Sequence, residues 1–292
     1  MKKILITGGA GQIGSRVLDK VTDLIDNEDE LFLLENRRKI EFFGKKVYII
    51  RNVSDGGEYD AAFHLAANIH TKYCENIQRQ GEFIRDNVIL TEKVSNQAKR
   101  VILVSSDNVF NGMDGRDYKE DDPTDNPSNF YGVTKVEAEK IVLGSGGSVI
   151  RIQTMLELDH NLIIDRILEG IDGKDYWPFW TDQYVSPTFF TDFFEVVKRT
   201  YQNEKRGSIY HVSCDGETPS RAAIAQRVLE VHKKHSLPMR RETLEYALCD
   251  NLTFPRRLVL NTERTRKELG LEFTDVNVAI EKHVLRIRRK NS

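Results

Sequence analysis

Short apolar runs rich in β-branched residues alternate along the chain with longer stretches in which apolar residues recur at helical spacing. The short runs predict buried strands, and the longer stretches predict amphipathic helices. The predicted strands are Ile4 to Thr7, Leu31 to Leu34, Val47 to Ile50, Ala61 to Leu65, Val101 to Ser105, Ser148 to Ile152 and Ser208 to Val212. The predicted helices cover about Ser15 to Ile25, Gly81 to Gln97, Tyr131 to Leu143, Asp192 to Gln202 and Arg221 to Lys234. This alternation predicts an α/β fold with a doubly wound parallel sheet covered by helices on both faces.

Two stretches, roughly Gln153 to Ser186 and Cys214 to Ser292, depart from the alternation. We therefore predict a dinucleotide-binding domain over residues 1–152, completed by about 187–213. Residues 153–186 and 214–292 are expected to form a smaller C-terminal lobe that binds the substrate. A chain of 292 residues is long enough for two such coupled domains.

The first predicted strand ends in a glycine-rich turn, Gly8-Gly9-Ala10-Gly11-Gln12-Ile13-Gly14, and a predicted helix follows. Strand, glycine turn and helix in this order are typical of the dinucleotide site of a Rossmann domain. Glycines let the backbone approach a pyrophosphate, whose charge is met by free N–H groups and the positive end of the helix. The predicted cofactor contacts in this turn are Gly8, Gly11, Gln12, Ile13 and Gly14.

The second predicted strand bears on which dinucleotide binds. It runs into Glu35, about 20 residues after the last glycine, where a carboxylate accepts both hydroxyls of an adenosine ribose and repels a 2′-phosphate. Arg37 and Arg38 follow, and their guanidinium groups could hold that phosphate or be exposed at the start of a helix. We expect NAD(H), with NADP(H) possible. The predicted contacts are Glu35, Asn36 and Arg37.

Three further strands end in residues suited to a ligand crevice, which in a doubly wound fold opens at the carboxyl ends of the strands. The third finishes near Asn52, placed to flank an adenine. The fourth runs into His64-Leu65-Ala66-Ala67, whose small residues let backbone pass beside the pyrophosphate and nicotinamide, although such a histidine is often a satisfied core residue. The predicted cofactor contacts at these strand ends are Asn52, Val53, Leu65, Ala66, Ala67 and Val104.

Tyr131 and Lys135 are four residues apart in a predicted helix, so their side chains share one face. A free tyrosine has a pKa of ~10, and a cation beside it favours the phenolate and lowers that pKa. Such a pair can transfer a proton to a carbonyl oxygen. The spacing alone is a weak signal, because most such pairs in a charge-rich protein lie on solvated helix surface.

Composition excludes several other classes of function. A net charge of −2 with 30% charged residues is typical of an ordinary protein surface and not of a nucleic-acid or membrane binder. The three cysteines are scattered and lack C-x-x-C pairing, which favours a reducing cytoplasm. We expect no metal site, because His232 and His235 have no acidic or cysteine partner nearby in sequence. Because the chain shows neither a signal peptide nor an apolar stretch long enough to span a bilayer, we expect a cytoplasmic protein.

Together, the segments Thr7 to Gly14, His64 to Ala67, Ser105-Ser106 and Tyr131 to Lys135 resemble the extended short-chain dehydrogenase/reductase superfamily. Asn87 resembles the helical asparagine that supports the active-site strand in that superfamily. Within it, the chain resembles the dTDP-4-dehydrorhamnose reductases. The segments that carry this closer resemblance are Ser105 to Gly112, Tyr118 to Glu120, Pro127 to Lys135, Ser186 to Thr188, Ile209 to Val212 and Leu260 to Thr262.

The resemblance implies NAD(P)H-dependent reduction of the C4 ketone of a nucleotide-linked 4-keto-6-deoxy sugar. It implies that Tyr131 donates a proton to the alkoxide, that Lys135 lowers the pKa of the tyrosine and binds the nicotinamide ribose, and that Ser106 holds the carbonyl. Tyr131 and Lys135 are also expected to contact the cofactor. The substrate-binding residues expected on this basis are Ser106, Asp107, Asn108, Thr154, Arg256 and Arg257.

The chain also departs from that family. Asn108 replaces a tyrosine, and Ile152 to Glu157 replaces Thr-Ser-Trp-Val-Tyr-Gly, which removes aromatic surface and adds a carboxylate. Two alternatives therefore stay open: a sugar-nucleotide epimerase or dehydratase of the same superfamily, and a catalytically silent, cofactor-binding regulatory subunit like the reductase-like partner of methionine adenosyltransferase. A homodimer is possible.

Overall fold

All seven predicted strands occur, and they form one sheet, which confirms the predicted fold class. The computed structural model describes residues 1–34, 47–158, 164, 167, 179–203, 205–232, 241–242 and 255–291. The strands of this sheet are β1 (Lys3–Thr7), β2 (Glu30–Leu34), β3 (Val47–Ile50), β4 (Ala61–His64), β5 (Val101–Ser106), β6 (Ser148–Ile152) and β11 (Ile209–Val212).

The order of the strands is β11-β6-β5-β4-β1-β2-β3, so the chain changes direction across the sheet at β1. β1 pairs in parallel with β2 and β4, which brings Thr7 level with Leu34 on one side and His64 on the other. His64 is in turn level with Leu103 on β5. Three predicted ligand-binding strand ends therefore lie along one edge of the sheet, at the switch point where α/β sheets bind ligands.

The sheet is buried because helices cover it, and Ile4, Leu5 and Ile6 of β1 are completely inaccessible. The helices of the described chain are α1 (Gln12–Asp19), α2 (Ile77–Phe83), α3 (Leu90–Gln97), α4 (Phe130–Gly144), α5 (Phe190–Gln202), α6 (Arg221–His232), α7 (Glu263–Leu269) and α8 (Val276–Asn291). A π-helical turn over Ile84–Ile89 joins α2 to α3. None of the described helices is long and apolar enough to cross a membrane.

Residue contacts divide the chain into two compact units. The first unit comprises Met1–Val109, Asn129–Arg151 and Phe194–Tyr210, and the second comprises Phe110–Ser128, Ile152–Phe193 and His211–Ser292. This division differs from the predicted one chiefly over residues 110–128. That segment joins the second unit because the Tyr118 backbone bonds to Val259 and Asn261, and because the Thr265 hydroxyl donates to Glu120.

The second unit contains three pairs of two-residue parallel strands. They are β7 (Met155–Leu156) with β10 (Thr188–Phe189), β8 (Phe179–Trp180) with β12 (Arg241–Glu242), and β9 (Tyr184–Val185) with β13 (Arg257–Leu258). Its core includes side chains of α6 and α8, among them Ile224, Val228, Ile280 and Val284. That this unit binds the substrate stays a prediction.

Candidate active site

The glycine turn after β1 brings three backbone segments into close contact. Gly8 has a φ of +72°, and a side-chain carbon there would lie 2.7 Å from the amide nitrogen of Ala66. A side-chain carbon on Gly14 would overlap the carbonyl oxygen of Gly8. Both positions therefore require glycine, and the turn holds the start of α1 directly against the end of β1.

The start of α1 has the chemistry of an anion site. Gly11 is its N-cap and supplies no side-chain cap. The first turn, which includes Gln12 and Ile13, has no acidic residue. Free N–H groups and the positive end of the helix dipole therefore suit the charge of a pyrophosphate. Since a glycine cradle and an uncapped helix start occur together, the residues present fit a dinucleotide.

A cavity of about 560 Å³ lies in the first unit beside the ends of β2 and β3. The predicted adenine neighbours Asn52 and Val53 are among its lining residues, together with Leu34, Arg51, Ser54, Arg85, Asp86, Ile89, Leu90, Lys93, Asn96 and Gln97. Its size and position fit an adenosine. Glu35, Asn36, Arg37 and Arg38, which bear on the choice between NAD and NADP, lie outside the described residues.

The three predicted catalytic residues all lie in the first unit. Ser106 is the last residue of β5, whereas Tyr131 and Lys135 lie one turn apart on α4. Their exposed fractions are 8%, 6% and 2%, so water is largely excluded from all three. The Lys135 Nζ donates to the carbonyl of Val104, the predicted cofactor neighbour, at 2.9 Å.

Burial controls the protonation of Tyr131 and Lys135. It raises the pKa of the Tyr131 phenol well above its ordinary value; hydrogen bonding with Ser106 lowers that pKa, and the charge of Asp107 raises it. Burial lowers the pKa of Lys135 to about 8, against the opposing effect of Glu139. We expected Lys135 to lower the pKa of Tyr131. Burial has the larger effect on this pKa, because the loss of hydration destabilises the phenolate more than the neighbouring groups stabilise it.

Ser106 belongs to a small polar network that includes the predicted substrate residues Asp107 and Asn108. Its hydroxyl donates to Asp107 Oδ1 at 2.9 Å and accepts from the backbone N–H and the side-chain amide of Asn108, at 3.2 and 3.1 Å. The Asn108 Oδ1 in turn accepts from Asn129 at 2.8 Å. Asn129 also caps α4 by accepting from the Gly132 N–H, so the network connects the end of β5 to the start of the catalytic helix.

Asn87 lies in the π-helical turn and is almost fully buried. Its amide oxygen accepts from the Asn68 N–H at 2.7 Å, while its amide nitrogen donates to the Asn68 carbonyl and to the Thr134 hydroxyl. That hydroxyl donates to the carbonyl of Tyr131. Asn87 therefore supports the backbone that follows β4 and the catalytic helix, a role close to the one that the resemblance implied.

His64 lies in a buried chain of hydrogen bonds whose direction can be assigned. The Thr91 hydroxyl donates to the Asn87 carbonyl at 2.6 Å, so at 2.9 Å it accepts from the Nε2–H of His64. The His64 Nδ1 must then accept from the Thr7 hydroxyl at 2.6 Å, which itself accepts from the Ala66 N–H. The imidazole is neutral, and burial together with nearby Lys135 lowers its pKa to about 3.

The remaining predicted substrate residues belong to the second unit. The Thr154 carbonyl accepts from the Thr188 N–H. Arg257 is paired with Asp117 at 2.7 Å. Arg256 is exposed, and its guanidinium makes no ion pair with another described residue.

Glu157, at the end of the segment that departs from the reductase pattern, has a φ of +69°. That region favours glycine, which stands at this place in the family pattern, so the glutamate backbone is strained here. The Glu157 carboxylate accepts from the N–H and hydroxyl of Thr191 in the first turn of α5, and its own N–H donates to His283 at 2.6 Å. The carboxylate that Glu157 adds relative to the reductase pattern therefore caps the start of α5.

Four residues with a role in this geometry escaped prediction from the sequence: Thr91, Asn129, Glu139 and Arg151. Asn129 had a signal, since asparagine is a preferred N-cap. Glu139 had one as well, because it continues the four-residue spacing of Tyr131 and Lys135. Thr91 had a signal in its four-residue spacing from Asn87. Arg151 had none, because its partner Glu139 lies on a different element.

The chain is similar to several known proteins. The chain is 24% identical over 226 residues to the spore coat polysaccharide biosynthesis protein SpsK of Bacillus subtilis, covering 74% of this chain and 75% of that protein. It is 25% identical over 201 residues to the dTDP-4-dehydrorhamnose reductase of Aggregatibacter actinomycetemcomitans, covering 68% and 66%. Other relatives match over about half of their length, among them a Neisseria meningitidis dTDP-glucose 4,6-dehydratase, 29% identical over 174 residues, covering 49% of this chain and 48% of that protein.

Solved structures share the fold along the whole chain. MoeE5 in complex with UDP-glucose and NAD superposes with a TM-score of 0.80 at 21% identity, covering 99% of this chain and 100% of that one. The Bacillus anthracis dTDP-4-dehydrorhamnose reductase in complex with NADP gives 0.77 at 17% identity, covering 98% and 99%. A family model matches residues 1–288. By that match, the chain belongs to the RmlD substrate binding domain family.

Proposed function

We propose that this protein catalyses the NAD(P)H-dependent reduction of the C4 ketone of a nucleotide-linked 4-keto-6-deoxy sugar. One observation carries the proposal: Ser106 and Lys135 accompany a buried Tyr131, and burial raises the pKa of its phenol, which favours the protonated form. A protonated phenol is the form that reduction requires, since the alkoxide formed from a ketone must receive a proton.

Each of the three side chains has a distinct task in this reaction. A bound nicotinamide cofactor would supply the hydride for C4. Tyr131 donates its phenolic proton to the C4 oxygen as negative charge develops there, and Ser106 donates a hydrogen bond to the same oxygen. For this the Ser106 hydroxyl turns from Asp107, to which it donates here. Lys135, the nearby cation, stabilises the phenolate that Tyr131 becomes.

NAD(H) is the favoured cofactor, with NADP(H) possible. The glycine turn over Gly8 to Gly14 fits the pyrophosphate, and the cavity beside Asn52 and Val53 fits the adenosine. Glu35, next along the chain after β2, favours a ribose with both hydroxyls free. The relatives support both options, since MoeE5 was solved with NAD and the Bacillus anthracis reductase with NADP.

Asp107, Asn108 and Thr154 are proposed to contact the sugar. For the diphosphate of the substrate we assign Arg256, because Arg257 already satisfies its charge with Asp117.

The test is a panel of 4-keto-6-deoxy sugars on dTDP, UDP and GDP, each incubated with NADH and with NADPH. The proposal requires stoichiometric oxidation of the cofactor with at least one member and formation of the corresponding alcohol at C4. An epimerase would instead retain NAD through purification and interconvert C4 epimers without net oxidation. A regulatory subunit would bind the cofactor, oxidise it with no member of the panel and co-purify with an enzyme.

A further inference from the structure

Glu139 continues the line of catalytic side chains by one more helical turn. Tyr131, Lys135 and Glu139 are spaced by four residues on α4, so they share one face of the helix. This face is buried, and only 3% of Glu139 is exposed. A carboxylate therefore lies one turn beyond the ammonium, in surroundings that contain little water.

Arg151, the fourth residue of β6, holds this carboxylate with both oxygens engaged. Its Nε donates to Oε1 of Glu139 at 3.0 Å and to Oε2 at 3.2 Å, and its Nη2 donates to Oε2 at 2.7 Å. The side chain of Arg151 is 3% exposed and that of Glu139 is 4% exposed. A bidentate pair of this kind has a fixed geometry as well as a strong attraction.

Lys135 stays outside that pair. A lysine and a glutamate four residues apart on a helix attract each other, yet within the described part of the chain Lys135 forms no ion pair with Glu139. Its Nζ donates instead to the Val104 carbonyl, two residues before Ser106. The ammonium is therefore held towards the catalytic end of β5.

The other ionisable groups around Lys135 do not take the place of Glu139. His64 on β4 is neutral, and Tyr131 on the same helix is protonated. Asp107, after β5, acts on the phenol. Glu139 is the charged group that raises the pKa of Lys135 against the effect of burial.

We propose that Glu139 and Arg151 form a positioning pair for Lys135: the carboxylate keeps the buried ammonium charged, and the guanidinium prevents that carboxylate from drawing the ammonium away from Tyr131. The inference rests on the proposed function, in which Lys135 must be a cation beside the phenol. Each partner has its own task. Without Glu139 the ammonium loses its proton more readily, and without Arg151 it moves towards Glu139.

A buried ion pair can also be purely structural, so the test needs a measurement that stability alone does not change. The titration of Lys135 can be followed by NMR in protein carrying lysine labelled with ¹³C at Cε, with the signal assigned by its loss in Lys135→Met. The informative variant is Glu139→Gln with Arg151→Met, which removes both charges and leaves neither partner buried alone. The matched control is Glu137→Gln with Lys140→Met, an exposed pair on the same helix.

The expected result is a fall of the Lys135 titration midpoint by about one pH unit in the buried double variant. Of the two charges removed, Glu139 is the one that raises the pKa of Lys135, and Arg151 is not among the groups that shift it. The exposed double variant should keep the wild-type midpoint. An unchanged midpoint in the buried double variant overturns the inference. If that variant does not fold, Arg151→Lys keeps the charge but frees a carboxylate oxygen, and the midpoint should then rise; no rise overturns the inference equally.

The two proposals fail separately. The NMR titration needs no substrate. If the midpoint shifts as expected but the protein reduces no sugar nucleotide, only the proposed function is contradicted. If the protein is a reductase but its Lys135 midpoint is the same in both variants as in the wild type, only the positioning role is contradicted. If both proposals hold, the alkaline limb of the kcat profile moves to lower pH in the buried double variant, in step with the NMR midpoint.

Discussion

Gly14 lies so close to Gly8 that a side-chain carbon on Gly14 would overlap the Gly8 carbonyl oxygen. The contact joins the first turn of α1 to the residue that follows β1. It fixes the distance between the strand end and the helix start, which together form the anion site. The two glycines therefore determine whether backbone N–H groups face a pyrophosphate.

Substituting Gly14 with alanine should displace the start of α1 and weaken NADH binding at least tenfold. Gly81→Ala is the matched control, since a side-chain carbon on that helical glycine meets no atom within 4 Å. The control should bind NADH normally and unfold with a free energy about 0.5–1 kcal/mol higher, because glycine loses more conformational entropy on folding. NADH fluorescence titration and urea unfolding measure both effects. Wild-type affinity in Gly14→Ala would contradict this view of the turn.

Removing the phenolic hydroxyl with Tyr131→Phe should lower kcat by about 10²–10⁴-fold, the usual worth of a positioned general acid. Cofactor affinity should change little, because the ring and its packing against Cys74 and Phe83 remain. Tyr73→Phe, at an exposed tyrosine, is the control and should keep wild-type turnover. The comparison requires steady-state kinetics on whichever substrate the panel identifies. Wild-type turnover in Tyr131→Phe would mean that another group donates the proton.

Thr91→Val should destabilise the protein by about 1–3 kcal/mol, because it leaves the buried Nε2–H of His64 without an acceptor. Thr91→Ser keeps the hydroxyl and should lose much less. Thr91→Val keeps the shape of the side chain and loses the hydroxyl, whereas Thr91→Ser keeps the hydroxyl and loses a methyl group. Urea unfolding at pH 7 distinguishes them, and equal losses in the two variants would show that the hydroxyl is not what matters.

Acid should destabilise the first unit through His64. The pKa of this residue is about 3 in the folded protein and ~6.5 in an unfolded chain. The unfolded state binds the additional proton over that range, so the stabilisation is complete above pH ~6.5 and falls by about 1.4 kcal/mol per pH unit towards pH 3. His283, with a pKa of about 4, contributes with the same sign in the second unit.

His64→Gln should make the free energy of unfolding depend less on pH. His70→Gln, at an exposed histidine, should leave the pH dependence as it is in the wild type. Unfolding free energies at pH 7, 6 and 5 provide the measurement. A His64→Gln variant that lost as much stability as the wild type over this interval would show that the acid sensitivity originates elsewhere.

The sheet could be predicted from the sequence because its strands are short, apolar and β-branched, and their boundaries agree to within one or two residues. The helix predicted from Gly81 begins earlier, at Ile77, where the Asn76 side chain accepts from the Gln78 N–H. The two-residue strands of the second unit had no periodicity to reveal them. Their pairing depends on contacts between distant segments, as between Tyr184 and Arg257.

The shared helix face of Tyr131 and Lys135 could be predicted from their spacing, since neighbours on one helix face are a local property. The pKa of Tyr131 could not be predicted in the same way, because it depends on burial by the whole fold. Glu139 also lay within reach of the spacing argument. Its pairing with Arg151 could not be predicted in this way, because Arg151 lies on a different element.

The π-helical turn makes the segment over Ile84–Ile89 sensitive to length. It amounts to one extra residue in an α-helix, and each residue turns such a helix by about 100°. Deleting one residue between Phe83 and Asn87 would rotate these two side chains apart, so Phe83 could not pack beside Tyr131 while Asn87 bonds to Asn68. Insertions and deletions here should be far more harmful than substitutions at its exposed positions.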